Sequence, residues 1–121
     1  MAKLLVVDDD RDVIDLLSYL LERHGHQIIE ASNGREGLET ASREHPDLIV
    51  LDIMMPEMDG LAMNDHLLEN PSTKDIPVII LTAKGQARKT FKMTPNIRRF
   101  MEKPFDPKEL QAAVLEALGN S

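Results

Sequence analysis

Cysteine is absent from the 121 residues. This excludes disulfide staples, a thiol nucleophile and any zinc site built on thiolates, and it fits a fold that needs no oxidising compartment. Long apolar runs are also absent. No stretch approaches the roughly 20 residues that span a bilayer, and the opening MAKLLVVDDD meets three acids after a short apolar run. Neither a membrane span nor a signal peptide is expected, and a cytoplasmic location is. Positive charge is scarce: 14 Lys and Arg stand against 21 Asp and Glu, a formal net charge of −7, which disfavours direct binding of nucleic acid. The scarcity is uneven. Lys84, Arg88, Lys89, Lys92, Arg98 and Arg99 fall between positions 84 and 99 with no acid among them, so that window carries +6 and the rest of the chain −13. Such a run is either a solvated face or a surface for an acidic partner. Neither GxxxxGK nor GxGxxG occurs, which removes the P-loop and dinucleotide fingerprints, and His24, His26, His45 and His66 lack metal-binding spacing. With no internal repeat, low-complexity tract or linker, and 42% hydrophobic residues, residues 1–121 are expected to form one domain with one ordinary core.

What is present is an alternation of short apolar runs and helical patterns. LLVV (Leu4 to Val7) reads as a buried strand, and Val13, Leu17, Leu20 and Leu21 at helical spacing predict a helix from about Arg11 to His24, ended near Gly25. Ile28 and Ile29 mark a second strand. Asn33 with Glu36 gives a capping-box pattern for a helix facing inward through Leu38 and Ala41. A third strand, Leu48 to Leu51, ends on Asp52, and a loop with Pro56 and Gly60 leads to a helix around Leu61 to Leu68. A fourth strand, Val78 to Leu81, ends on Thr82, and a fifth covers about Ile97 to Met101 before Lys103-Pro104. In the last helix Asp106 is the cap, Pro107 the first residue, Leu110, Ala113, Val114, Ala117 and Leu118 the inner stripe, and Gly119 the stop. Strands that are apolar along their whole length, each followed by a helix, imply an α/β fold: a doubly wound, five-stranded parallel sheet covered on both faces.

In such a sheet ligands bind beyond the carboxyl ends of the strands. The residues there are Asp8, Asp9 and Asp10, then Asp52, Thr82 and, past the fifth strand, Lys103. Close carboxylates repel unless a cation sits among them, and an all-oxygen donor set suits magnesium better than zinc. An ammonium and a hydroxyl are what the free oxygens of a phosphoryl group require. The set therefore reads as a site for phosphoryl transfer, with a carboxylate as nucleophile, and the central Asp52 is the candidate. Each residue also has a plainer role open to it: the aspartates as helix caps, Thr82 as a strand-end hydroxyl, Lys103 as a surface cation.

VVDDD (Val6 to Asp10), LDIMMPEMDG (Leu51 to Gly60), LTA (Leu81 to Ala83) and KPF (Lys103 to Phe105) resemble, in that order and spacing, the receiver domain of bacterial response regulators. One such motif is weak; four on the expected strand ends are specific. The resemblance implies a flavodoxin-like (βα)5 fold with strand order 2-1-3-4-5. It implies Asp52 as phosphoacceptor, Asp8 and Asp9 as the acidic pair that holds magnesium directly or through water, and the Met54 backbone carbonyl as a further metal ligand. Asp10 lies outside the matched pair. Lys103 would hold a phosphoryl oxygen, Thr82 another once Asp52 is modified, and Phe100 falls at the aromatic switch position. The implied partners are a sensor histidine kinase or phosphotransfer protein and a downstream protein target, with a phosphorylation-dependent dimer as a further possibility. The implied chemistry is self-modification rather than turnover of a substrate.

Some positions depart from the family. Met54 offers no group to orient an attacking water and Lys84 is cationic, so slow self-dephosphorylation is expected. KMTPNIRRF (Lys92 to Phe100) replaces the usual Ala-Gly-Ala step, with Pro95 in the way, so a short or irregular fourth helix is expected. A phosphorylation-independent pseudo-receiver is the alternative, though such domains usually lose the acids or the lysine. A haloacid-dehalogenase-like phosphatase would want a second Asp where Met54 stands.

Overall fold

Five strands and four helices make up the described residues of the computed structural model, which are 2–55, 58–83 and 94–119. They are β1 (Lys3–Val7), α1 (Arg11–Glu22), β2 (Gln27–Ala31), α2 (Gly34–Glu44), β3 (Leu48–Asp52), α3 (Gly60–Glu69), β4 (Val78–Thr82), β5 (Ile97–Glu102) and α4 (Pro107–Ala117). All strand pairs are parallel and the order is β2-β1-β3-β4-β5, as expected. Because neighbouring side chains on a strand point to opposite faces, the apolar runs feed two cores. Leu4 and Val6 pack with Ile14, Leu17 and Leu21 of α1 and with Leu110, Ala113 and Val114 of α4. Leu5 and Val7 pack on the other face with Ala41 of α2 and with Met63 and Leu67 of α3. The sheet is thus covered on both sides.

Each helix starts on an oxygen-bearing cap that accepts a first-turn N–H, a device that stabilises by about 1 kcal/mol apiece. Asp10 serves α1, Asn33 α2, Asp59 α3 and Asp106 α4. Asn33 accepts from the Glu36 amide at 2.9 Å, while the Glu36 carboxylate reaches one residue further back than a capping box, to the Ser32 amide at 3.3 Å. α4 stops before Gly119, whose φ of +82° favours a residue without a side chain.

The observed bounds differ from expectation where burial is partial. β2 runs from Gln27 to Ala31 rather than over two isoleucines, because it is an edge strand and its polar Gln27 and Glu30 do not enter the core. α1 ends at Glu22, with Arg23 as its C-cap, instead of at His24. β5 extends to Glu102 and carries a register irregularity opposite Val78 and Ile79. Just before β5, three side chains close a ring of hydrogen bonds onto α3. Asn64 donates to Thr94 (3.0 Å), Thr94 to Asn96 (2.6 Å) and Asn96 back to Asn64 (2.6 Å). Both asparagines are buried, so the ring fixes where β5 begins.

The expected fourth helix, Lys84 and most of the basic window lie outside the described residues. Of that window, Arg99 pairs with Glu109 of α4 at 2.9 Å, and Arg98 donates to the Pro95 carbonyl.

Candidate functional site at the carboxyl ends of β1, β3 and β4

β1 and β3 are neighbours in register, Val7 beside Leu51, so the residues that follow, Asp8 and Asp52, end adjacent strands. The chain leaves β1 toward α1 on one face and leaves β3 toward α3 on the other. This is the topological switch point at which an open parallel sheet offers a crevice.

Asp8 is fully buried, Asp52 is nearly so, and Asp9 is exposed. Each of the three can offer a carboxylate oxygen, with all three atoms within 4.8 Å of one another. Asp10 does not join them. It turns away to accept the Asp12 amide at 2.9 Å as the cap of α1, while its own amide donates to Asp8 Oδ1 at 2.9 Å. The helix-cap reading therefore holds for Asp10, and Asp8 and Asp9 remain with Asp52.

Lys103 comes from 95 positions along the chain to the same place. Its amide donates to the Thr82 carbonyl at 2.8 Å. Its Nζ lies 3.2 Å from Asp8 Oδ2 and 3.3 Å from Asp52 Oδ1. Two buried carboxylates share one ammonium, which leaves an excess of negative charge. Burial, and then the charge of Asp8, push the Asp52 carboxyl up to about 6, against the opposing pull of Lys103 and of a backbone hydrogen bond from Met54. For Lys103 burial acts to depress the ammonium, but the attraction and hydrogen bonds of Asp52 and Asp8 outweigh it, and its proton is held more tightly than usual. The donor chemistry fits a divalent cation: three carboxylate oxygens, no softer ligand, and one cation too few.

Thr82 ends β4 beside this group and is fully buried. Its hydroxyl donates to the neighbouring Ala83 carbonyl over a long 3.4 Å. Phe100 sits on β5 in register with Ile80, half-buried against the core on the α2 and α3 side. The Met54 side chain is 68% exposed, so the residue contributes backbone to the site and an apolar group to solvent.

Gly60 was legible only as a loop residue, yet the site depends on it. A Cβ there would lie 2.6 Å from the Asp52 carbonyl oxygen and 2.8 Å from the Ile53 Cα. Only a bare backbone lets the start of α3 fold this closely under the phosphoacceptor candidate, where the Gly60 amide donates to the Ile53 carbonyl at 2.9 Å. The Asn64, Thr94 and Asn96 ring was not legible at all. No periodicity links polar residues about thirty positions apart.

Comparison with known proteins gives a consistent result. The family model for the response regulator receiver domain matches residues 4–115. The alkaline phosphatase synthesis transcriptional regulatory protein PhoP of Bacillus subtilis is 41% identical over 120 residues, which are 98% of this chain and 49% of that protein. Protein PilH of Pseudomonas aeruginosa is 38% identical over 111 residues, covering 91% of this chain and 92% of that one. The chain thus spans about half the length of the first relative and nearly all of the second. A crystal structure of a response regulator receiver domain protein from Clostridium thermocellum superposes with a TM-score of 0.89 at 27% identity, over 98% of this chain and 95% of that one.

Proposed function

Because this chain belongs to the response regulator receiver family, a phospho-accepting module of two-component signalling, we propose that Asp52 takes the phosphoryl group, and that Asp8, Asp9 and Lys103 make the transfer possible. The observation that carries this reading is the shared ammonium: Lys103 Nζ within 3.3 Å of both buried carboxylates, with the exposed Asp9 beside them. The donor is a phosphohistidine on a sensor kinase or phosphotransfer protein, or a small acyl phosphate.

In the transfer an Asp52 carboxylate oxygen attacks phosphorus in line with the departing nitrogen. The N–P bond breaks, an O–P bond forms, and the imidazole leaves with the bonding electron pair. Asp52 must be ionised to attack, and its carboxyl, held near 6, is ionised at neutral pH. Lys103 exchanges its contact with Asp52 for one with a phosphoryl oxygen and holds its proton throughout. Asp8 and Asp9, with Asp52 and the Met54 carbonyl, would hold magnesium, which when bound neutralises charge on the phosphoryl oxygens. The buried Thr82 hydroxyl is one strand away, and its hydrogen bond to a described residue is a long one to the Ala83 carbonyl, so a new acceptor on Asp52 can recruit it. Phe100, half-buried on the strand beside Thr82, reports that change through packing, without the hydroxyl of a tyrosine. Loss of the phosphate by hydrolysis resets the domain, which makes it a timed switch rather than a turnover enzyme. A cytoplasmic place fits a chain without cysteine, in which no described helix is long and apolar enough to cross a membrane. The presence of all the acids together with the lysine favours this reading over a pseudo-receiver.

The test is chemical localisation. After incubation with phosphoramidate and magnesium, borohydride reduces an aspartyl phosphate to homoserine. Peptide mass mapping should find the conversion at residue 52, and conversion at Asp8 or Asp9 instead would overturn the assignment.

A further inference from the structure

One face of α1 has no partner among the described residues. Asp12, Leu16, Tyr19 and Arg23 follow one another at spacings of four, three and four, the repeat of a helix–helix seam, and all four are exposed. Leu16 and Tyr19 are 48% and 60% exposed and lie one turn apart, so they form one apolar patch on this face. The seam has a polarity. The Asp12 carboxylate makes no ion pair with a described residue, and the Arg23 guanidinium lies over the Tyr19 ring at 5.5 Å rather than against an acid. Beside the seam runs a groove of about 530 Å³ between α1 and α4, with Leu20, Leu21 and Leu110 among its lining residues, Leu115 at its edge, and Arg23 and Lys108 as its cations. No carboxylate of a described residue lines that groove.

The spacing is self-complementary. Positions 12 and 23, and positions 16 and 19, are centred on the same point of the helix, midway between Leu17 and Ser18. A two-fold axis through that point, with two α1 helices antiparallel, sets Leu16 of each copy against Tyr19 of the other and closes both ends with an Asp12–Arg23 pair. At about 1.5 Å per residue the charged pairs stand about 16 Å apart, bracketing the apolar middle. An isologous contact needs one patch that complements its own rotated image, and this row of four residues does.

We propose that a second copy of this chain docks on α1 in this antiparallel register. The occupant follows from charge: the acid and the base that one helix leaves unpaired are those the other helix requires. The interface is small, so association is weak and reversible. It involves neither Asp52 nor Lys103, so it stands or falls independently of phosphotransfer.

Sedimentation velocity on the unmodified protein, from about 10 µM to 1 mM at low salt, tests it. The expected result is a weight-average mass that rises from monomer toward dimer and falls back at high salt. Arg23→Glu and Asp12→Lys, each alone, set like charges opposite one another and should weaken the dimer at least tenfold. The double variant Asp12→Lys with Arg23→Glu restores opposite charges across the two-fold and should restore the dimer. All these positions are exposed, and circular dichroism checks that each variant folds. A monomer throughout the range would overturn the proposal, as would a dimer that ignores the single reversals. Loss in the single variants without rescue in the double one would overturn the antiparallel register.

Discussion

Replacing Asp52 by Asn should stabilise the metal-free domain, although it removes one half of a buried ion pair. The folded protein holds the Asp52 proton more tightly than an unfolded chain does, up to about 6 against 3.8. Below about pH 4 both states carry the proton and the site costs nothing. As pH rises toward 6 the unfolded chain releases it first, and stability falls through that window. Above about 6 the full cost is present, and it corresponds to about 3 kcal/mol. The amide of Asn has the shape of the carboxyl without the charge, and Lys103 keeps Asp8 at 3.2 Å. The gain at pH 7.5 should therefore be about 1–3 kcal/mol, or a midpoint temperature higher by roughly 5–10 °C for a domain of this size. Urea unfolding in the presence of chelator, followed by far-ultraviolet circular dichroism because the chain has no tryptophan, measures it. The gain should shrink toward zero near pH 4. It should also shrink when magnesium is added, because a cation held by the three carboxylates of the proposed site would stabilise the wild type and not the variant. An Asn variant less stable than wild type at pH 7.5, or a gain that does not change with pH, would refute the electrostatic reasoning.

Other perturbations follow from the same geometry. Lys103→Met leaves Asp8 and Asp52 buried without their cation, so chelator-treated protein should lose about 2–4 kcal/mol in urea unfolding and accept phosphate far more slowly. Gly60→Ala drives a methyl group into the backbone at Asp52 and Ile53, neither of which can rotate away. It should cost at least about 2 kcal/mol and slow phosphorylation as well, which unfolding and acetyl phosphate assays would read in parallel. Met54→Asn gives the site a polar group at a position 68% exposed to water, and should shorten the lifetime of the aspartyl phosphate several-fold. An unchanged lifetime in a phosphate-release assay would remove Met54 as a determinant of that lifetime.

Much of this arrangement was legible because a parallel sheet buries its strands on both faces. LIVL and VIIL are wholly buried in β3 and β4, and such runs mark strands whose ends then mark the site. The same logic understated β2, whose edge position allows Gln27 and Glu30 to sit within a strand. Strand ends and motif spacing single out Asp8, Asp52 and Lys103, and Lys103 Nζ lies within 3.3 Å of both carboxylates. Asp10 was ambiguous in the sequence, since an aspartate after a strand can ligate or cap, and only its bond to the Asp12 amide decides for the cap. The closeness of Gly60 to the Asp52 backbone leaves no trace in composition. The self-complementary face of α1 was present in the sequence as a spacing, but that spacing has meaning only once exposure separates Leu16 and Tyr19 from the buried Leu17 and Leu21. The expected short or irregular fourth helix, ahead of β5, lies outside the described residues.

The measurement that bears most directly on the central claim is the intact mass of the protein after incubation with acetyl phosphate. Wild type is run with magnesium and with chelator, beside Asp52→Asn with magnesium. The account requires a gain of one phosphoryl group in wild type with magnesium, and none in the other two samples. An Asp52→Asn protein that still gains the group, or a wild type that gains it equally well in chelator, would contradict it.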